Sequence, residues 1–171
     1  MIKINNERVI YTEWVPAGKF VKVIISIVVL LIASLGIIFT AILPKQLVFI
    51  GIIIGSISLF IFLMYWNYRG LKINLTNNQL EIIYGVFSHK RIHLNKVVSC
   101  DIIKARFRIY GGVGVRFGLD GSWAYTTDFG DAVKLNFQYG RPFVFSTRNP
   151  QKICSLIDEL CSKMKESSKD S

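Results

Sequence analysis

Residues 23–43, VIISIVVLLIASLGIIFTAIL, and residues 47–66, LVFIGIIIGSISLFIFLMYW, contain no charged side chain. At about 1.5 Å of rise per residue, each stretch makes a helix of roughly 30 Å, the thickness of a bilayer's hydrocarbon core. Only Pro44, Lys45 and Gln46 separate them. So short a link predicts an antiparallel helical hairpin, with both flanks of the pair on one side of the membrane. A second span that follows at once argues against a cleaved leader.

Orientation follows from the Lys/Arg bias. Lys19, Lys22, Arg69 and Lys72 crowd one side, with Lys3 and Arg8 further out, and Lys45 stands alone at the hairpin tip. The bias places both termini in the cytoplasm and predicts a multi-pass protein of the plasma membrane. Trp14, Phe20, Tyr65, Trp66 and Tyr68 mark the same interface. Neither span holds an ionisable residue, which argues against a channel or a proton relay. Small residues recur: Gly36 and Thr40 on the first span match Gly51 and Gly55 on the second in depth from the tip. Such residues let helices approach closely in lipid. Packing within the hairpin is the favoured reading; a homo-oligomer face is the other.

Outside the hairpin the chain is basic. The net charge is +10, and residues 69–171 carry sixteen Lys/Arg against nine Asp/Glu. A basic region held at a membrane points to anionic headgroups before nucleic acid, and no nucleic-acid recognition motif occurs. Three cysteines, Cys100, Cys154 and Cys161, have neither framework nor zinc-ligand spacing, so all three are expected to be reduced and structural.

After Gly70 short strands take over. Leu71, Ile73 and Leu75 alternate with polar residues, and Leu80, Ile82 and Tyr84 do the same after an Asn77-Asn78 turn. Further strands are expected near Ile92 and Leu94, at residues 97–103, 122–126, 132–137 and 142–146, and at 104–109. In that last stretch Lys104, Arg106 and Arg108 alternate with Ala105, Phe107 and Ile109. Asn149 as N-cap and Pro150 at the first helical position open a final helix, whose Ile153, Leu156, Ile157, Leu160 and Met164 form one apolar stripe. The expected organisation is an interfacial segment at 1–22, the hairpin at 23–66 and a β domain at 68–164. A disordered polar tail at 165–171 completes it. The fold class is α+β: about seven short antiparallel strands forming a small barrel or sheet, capped by the last helix.

Two spans, a Leu/Ile-rich hairpin and the turn Tyr84-Gly85-Val86-Phe87 resemble bacterial membrane proteins with a pleckstrin-homology-like (PH-like) domain. The ordered set Tyr110-Gly111-Gly112-Val113-Gly114-Val115-Arg116, Gly121-Ser122-Trp123-Ala124-Tyr125, Gly130-Asp131-Ala132-Val133, Gly140-Arg141 and Thr147-Arg148-Asn149-Pro150 is similar to one subgroup of that family. The resemblance covers about residues 68–160. It implies a bent barrel closed by the C-terminal helix, with no enzymatic activity.

No catalytic constellation stands out. The glycines at 112, 114 and 118 miss the GxGxxG spacing by one place, and His89 and His93 lie about 13 Å apart on a strand, too far to share a metal. No catalytic residue, cofactor or metal is expected. The functional lead is the basic set Lys104, Arg106 and Arg108, together with Arg91, which shares a strand face with His89 and His93, as an anion-facing surface; a solvated outer sheet face is the other reading. The expected function is a non-catalytic, membrane-anchored binding or scaffolding module whose partner is a protein or an anionic lipid surface. A membrane-embedded enzyme or transport-complex subunit is the alternative.

Overall fold

The computed structural model describes residues 8–42 and 48–167, without the side chains of residues 40–42, 48, 166 and 167. The expected hairpin tip at 44–46 and the end of the expected tail at 168–171 lie outside this range.

Two long apolar helices, α1 (Lys19–Ile42) and α2 (Val48–Asn67), rise from a two-sheet body. Their contact is a stripe spaced three and four residues apart. Val21, Ile25, Val29, Ile32 and Gly36 of α1 are half-buried, as are Gly51, Ile54, Ser58, Ile61 and Tyr65 of α2. That spacing lets helices pack side by side. Other described side chains on these helices are mostly exposed, Leu30, Ile37 and Phe49 among them.

Strands β1 (Val9–Pro16), β2 (Gly70–Thr76), β3 (Gln79–Tyr84) and β4 (Ser88–His93) form an antiparallel sheet in that order. The second sheet contains β5 (Val97–Ala105), β6 (Gly114–Phe117), β7 (Trp123–Thr126), β8 (Gly130–Phe137) and β9 (Phe143–Ser146). Its order is β5-β8-β9-β7-β6, with β7 and β9 parallel. Period-two alternation drives β3, where Leu80, Ile82 and Tyr84 are buried and Gln79, Glu81 and Ile83 half-buried. β9 lies between β7 and β8 and is buried along its whole length, as a central strand should be. The core joins Leu71, Ile73, Leu80, Ile82, Leu135 and Phe145 to Ile153 and Ile157 of the last helix, α4 (Pro150–Ser167). Leu156, Leu160 and Met164 complete its stripe as partly buried neighbours.

Four expectations change. The segment before the hairpin is no mere interfacial arm: β1 pairs with β2 from Val9–Thr76 to Pro16–Gly70. The sheet region therefore includes residues from both sides of the hairpin. β1 escaped notice because its pattern is inverted, with Trp14 exposed and Glu13 buried. Three donors satisfy that carboxylate: the Thr147 hydroxyl at 2.6 Å, the Arg148 N–H at 2.7 Å and the Tyr11 hydroxyl at 3.0 Å. Second, among the described residues nine strands form rather than about seven, and one pair is parallel; β6 lies in a glycine-rich stretch that reads as a break. Third, α4 runs to Ser167, past the expected end at 164.

Fourth, the cysteines are not all reduced. Cys100 on β5 is bonded to Cys154 on α4, with Cα atoms 5.5 Å apart across 54 residues of chain, while Cys161 is free and buried. The pair is invisible in the spacing because only packing of α4 on β5 brings the two thiols together.

Candidate functional site

The helices leave the sheets at one end, and backbone hydrogen bonds fix how they leave. The Ala17 N–H donates to the Arg69 carbonyl at 2.7 Å, which ties the root of α1 to that of α2. The Gly18 N–H donates to the Thr127 carbonyl at 2.9 Å, and a Cβ at Gly18 would collide with the Asp128 carboxyl. On the other flank the Val86 N–H donates to Asn67 Oδ1 at 2.8 Å. The β7–β8 and β3–β4 turns are thereby held against the two roots.

Apolar and basic side chains share this root face. Val86 and Phe87 are 81% and 75% exposed at the tip of the β3–β4 turn. Phe129, one residue from Asp128, takes the Phe107 ring edge-on at 5.7 Å between centroids. Phe107 is itself 64% exposed. The Arg69 guanidinium lies over the Trp66 ring at 4.7 Å.

The expected basic stripe takes a different shape here. β5 stops at Ala105, and residues 107–110 form a helical turn, α3 (Phe107–Tyr110). Arg106 precedes that turn, and Gly111, at φ 65°, ends it in the left-handed conformation glycine adopts without strain. Strict alternation therefore fails beyond Ala105. Lys104, Arg106 and Arg108 are all exposed, but Phe107 turns outward with them instead of into the core. Arg91 does not join the set. It lies on β4 in the other sheet, its Nε 3.1 Å from Glu81 Oε1, and His89 Nε2 lies 2.7 Å from the same oxygen. Burial works against ionisation of Glu81, but hydrogen bonds from Asn74, His89 and Arg91 outweigh it and lower its pKa.

The small residues of the helices divide. Gly36 sits on the inter-helix stripe, and a Cβ there would stand 3.3 Å from the Ile54 side chain. Gly51 is half-buried on the facing stripe. Gly55 is exposed, and a Cβ there would meet nothing within 4 Å, so the expected pairing of Gly36 with Gly55 is not made. The side chain of Thr40 lies outside the described residues.

A concavity at the helix roots has no counterpart in the sequence reading. An open cavity of about 450 Å³ lies where Val21, Ile25 and Ile61 of the helices face Tyr84 and Arg116 of the sheets and Val113 of the bend before β6. Arg116 Nε donates to the Val113 carbonyl at 3.3 Å. Among the described residues no carboxylate pairs with the Arg116 guanidinium. Burial pushes the Tyr84 hydroxyl up to about 12, so it remains a neutral donor, 3.4 Å from the Thr126 carbonyl. The motif around Arg116 carries the family resemblance, but nothing in its spacing points to a cavity wall, since Val21, Ile25 and Ile61 stand far off in the sequence. Among the described residues no three His, Cys, Asp or Glu side chains gather as a metal site.

Comparison of the chain with protein-family models, with curated proteins and with solved structures found no match.

Proposed function

We propose that the chain is a membrane-anchored, non-catalytic binding module of PH-like type, whose root face rests on an anionic lipid surface. The observation that carries this reading is Phe107, exposed between Arg106 and Arg108 and linked through Phe129 and Asp128 to the start of α1. Two helices with mean hydropathies of 2.8 and 2.2 and almost no burial support membrane insertion, because so much outward apolar surface is stable only in lipid. The two sheets with α4 packed against β5 and β8 support the PH-like reading. The Lys/Arg bias favours a cytoplasmic face at the plasma membrane. It acts while the helices insert, and we rank it above the Cys100–Cys154 bond, which on its own would suit an oxidising compartment.

Held at the helix roots, Arg106 and Arg108 each contribute roughly 1 kcal/mol near an anionic leaflet. Burial of the Phe107 ring in the interface adds a share of the roughly 1.5–3 kcal/mol that full burial of such a side chain is worth. Lys104 lies a strand position further back, and Arg91 is held by Glu81 on the other sheet.

Quenching by brominated lipid tests the contact. The full chain carries Phe107→Trp, with Trp14→Phe, Trp66→Phe and Trp123→Phe to remove other indoles, and is placed in nanodiscs. Strong quenching in discs containing phosphatidylglycerol is expected, reduced by Arg106→Gln with Arg108→Gln. Quenching that is absent, or indifferent to lipid charge, removes the lipid-surface reading and leaves a protein partner as the better one.

A further inference from the structure

We propose that the cavity at the helix roots is a binding site for one anionic phospholipid, with an acyl chain between the helices and the sheets and the phosphate on Arg116. This rests on the membrane reading above, but on different residues. The cavity has two chemically distinct ends. One is walled by Val21, Ile25, Phe60 and Ile61, which belong to the apolar helices within two turns of their roots. In a bilayer that end opens into hydrocarbon, so a lipid tail enters it without crossing water. Its volume of about 450 Å³ lies in the range of roughly 300–1,000 Å³ typical of small-molecule sites.

The other end carries Arg116. A guanidinium has five N–H donors in a planar fork, and among the described residues the acceptor for this one is the Val113 carbonyl. The remaining donors suit a phosphate, which such a fork binds in bidentate fashion. Gly112 lies beside the guanidinium: a Cβ there would be in ordinary contact with Nη2 at 3.6 Å, and its φ of 150° favours glycine. Tyr84 closes the floor as a neutral ring and hydroxyl, adding no charge to repel the phosphate. The charge and the apolar length thus meet in one site, and the ligand that matches both is an anionic amphiphile. A free phosphate matches only the Arg116 end, and a zwitterionic lipid brings a cation toward the guanidinium.

Native mass spectrometry of the full chain in neutral detergent tests the proposal, with dioleoylphosphatidylglycerol, dioleoylphosphatidylcholine or inorganic phosphate as the added probe. One phosphatidylglycerol per chain is expected, retained at least tenfold better than phosphatidylcholine. Arg116→Gln should reduce retention at least tenfold, with Arg116→Lys between. Val113→Trp, which fills the cavity and keeps Arg116, should also reduce it. Arg106→Gln with Arg108→Gln should leave retention unchanged while weakening the quenching of the Phe107→Trp chain, so the two readings fail separately. Equal retention of both lipids, retention indifferent to Arg116→Gln, or displacement by inorganic phosphate at equal concentration would each overturn the site.

Discussion

Reducing the Cys100–Cys154 bond should weaken the sheet region by an amount that the loop length sets. The bond closes 54 residues of chain. In the chain-entropy treatment that loop removes about 14 cal/mol/K from the unfolded ensemble, or about 4 kcal/mol at 25 °C. The closed loop contains β6 to β9, so its loss loosens the unfolded state of most of the second sheet. Urea unfolding of the full chain in nanodiscs, read by intrinsic fluorescence, measures the effect. With a urea slope of about 1–3 kcal/mol/M, dithiothreitol should lower the midpoint by roughly 1.5–4 M. Cys100→Ser with Cys154→Ser should reproduce that midpoint and abolish the response to reductant. Alkylation of the unfolded, unreduced chain should modify Cys161 alone. A midpoint unmoved by reductant, or three alkylated cysteines without reduction, would refute the bond and its energetics together. Thiol trapping in intact cells adds the compartment. A bond formed there without added oxidant would place the sheets outside the cytoplasm and overturn the orientation drawn from the Lys/Arg bias.

Ile157→Ala should cost about 2–5 kcal/mol, since Ile157 is fully buried, whereas Leu156→Ala should cost less because Leu156 is only partly buried; paired denaturation midpoints measure the difference. Glu13→Ala strands the buried Thr147 hydroxyl, at about 1–3 kcal/mol for a buried group left unpaired, while the part-buried Arg148 N–H adds less; equal midpoints for variant and parent would contradict this. Glu81 has its pKa lowered below the usual 4.5, so it stabilises the fold above that pH, and the contribution is lost as pH falls through the lowered value. The stability-versus-pH curve of Glu81→Gln should therefore be flatter in acid than the parent's. Gly36→Ile should disturb the packing of α1 on α2, while Gly55→Ile should leave it intact, as judged by crosslinking between cysteines introduced at Ile32 and Ser58. Equal loss of crosslinking in both variants would contradict the placement of Gly55.

Periodicity recovered the elements whose side chains obey one rule along their length. The two apolar helices, β2, β3 and α4 were legible because each sorts its residues by burial at a constant spacing. The strands that escaped break the rule for identifiable reasons. β1 buries Glu13 and exposes Trp14, which pays off only once Thr147 and Arg148 arrive from the far end of the chain. Residues 104–109 alternate well enough to imitate a strand, yet Gly111 ends a helical turn there and swings Phe107 outward. The candidate site was half legible. Alternation in the sequence places Arg106 and Arg108 on one face and Phe107 on the other, whereas the structure exposes all three, and Arg91 lies in the other sheet. The cavity and the cysteine pair were not legible at all, because each joins residues that only tertiary folding makes neighbours.

The pairing of β1 with β2 makes the sheet region a discontinuous unit with the helical hairpin spliced into it. Synthesis delivers β1 first, then both helices, then its partner strand, so β1 joins the first sheet only after the whole hairpin has been made. The finished body is also mounted by two struts rather than hung from one, since residues 17 and 69 are hydrogen-bonded at the base. Two struts suppress swivelling. The side chains around the helix roots then keep one orientation relative to the helix axes, and that orientation is settled during folding.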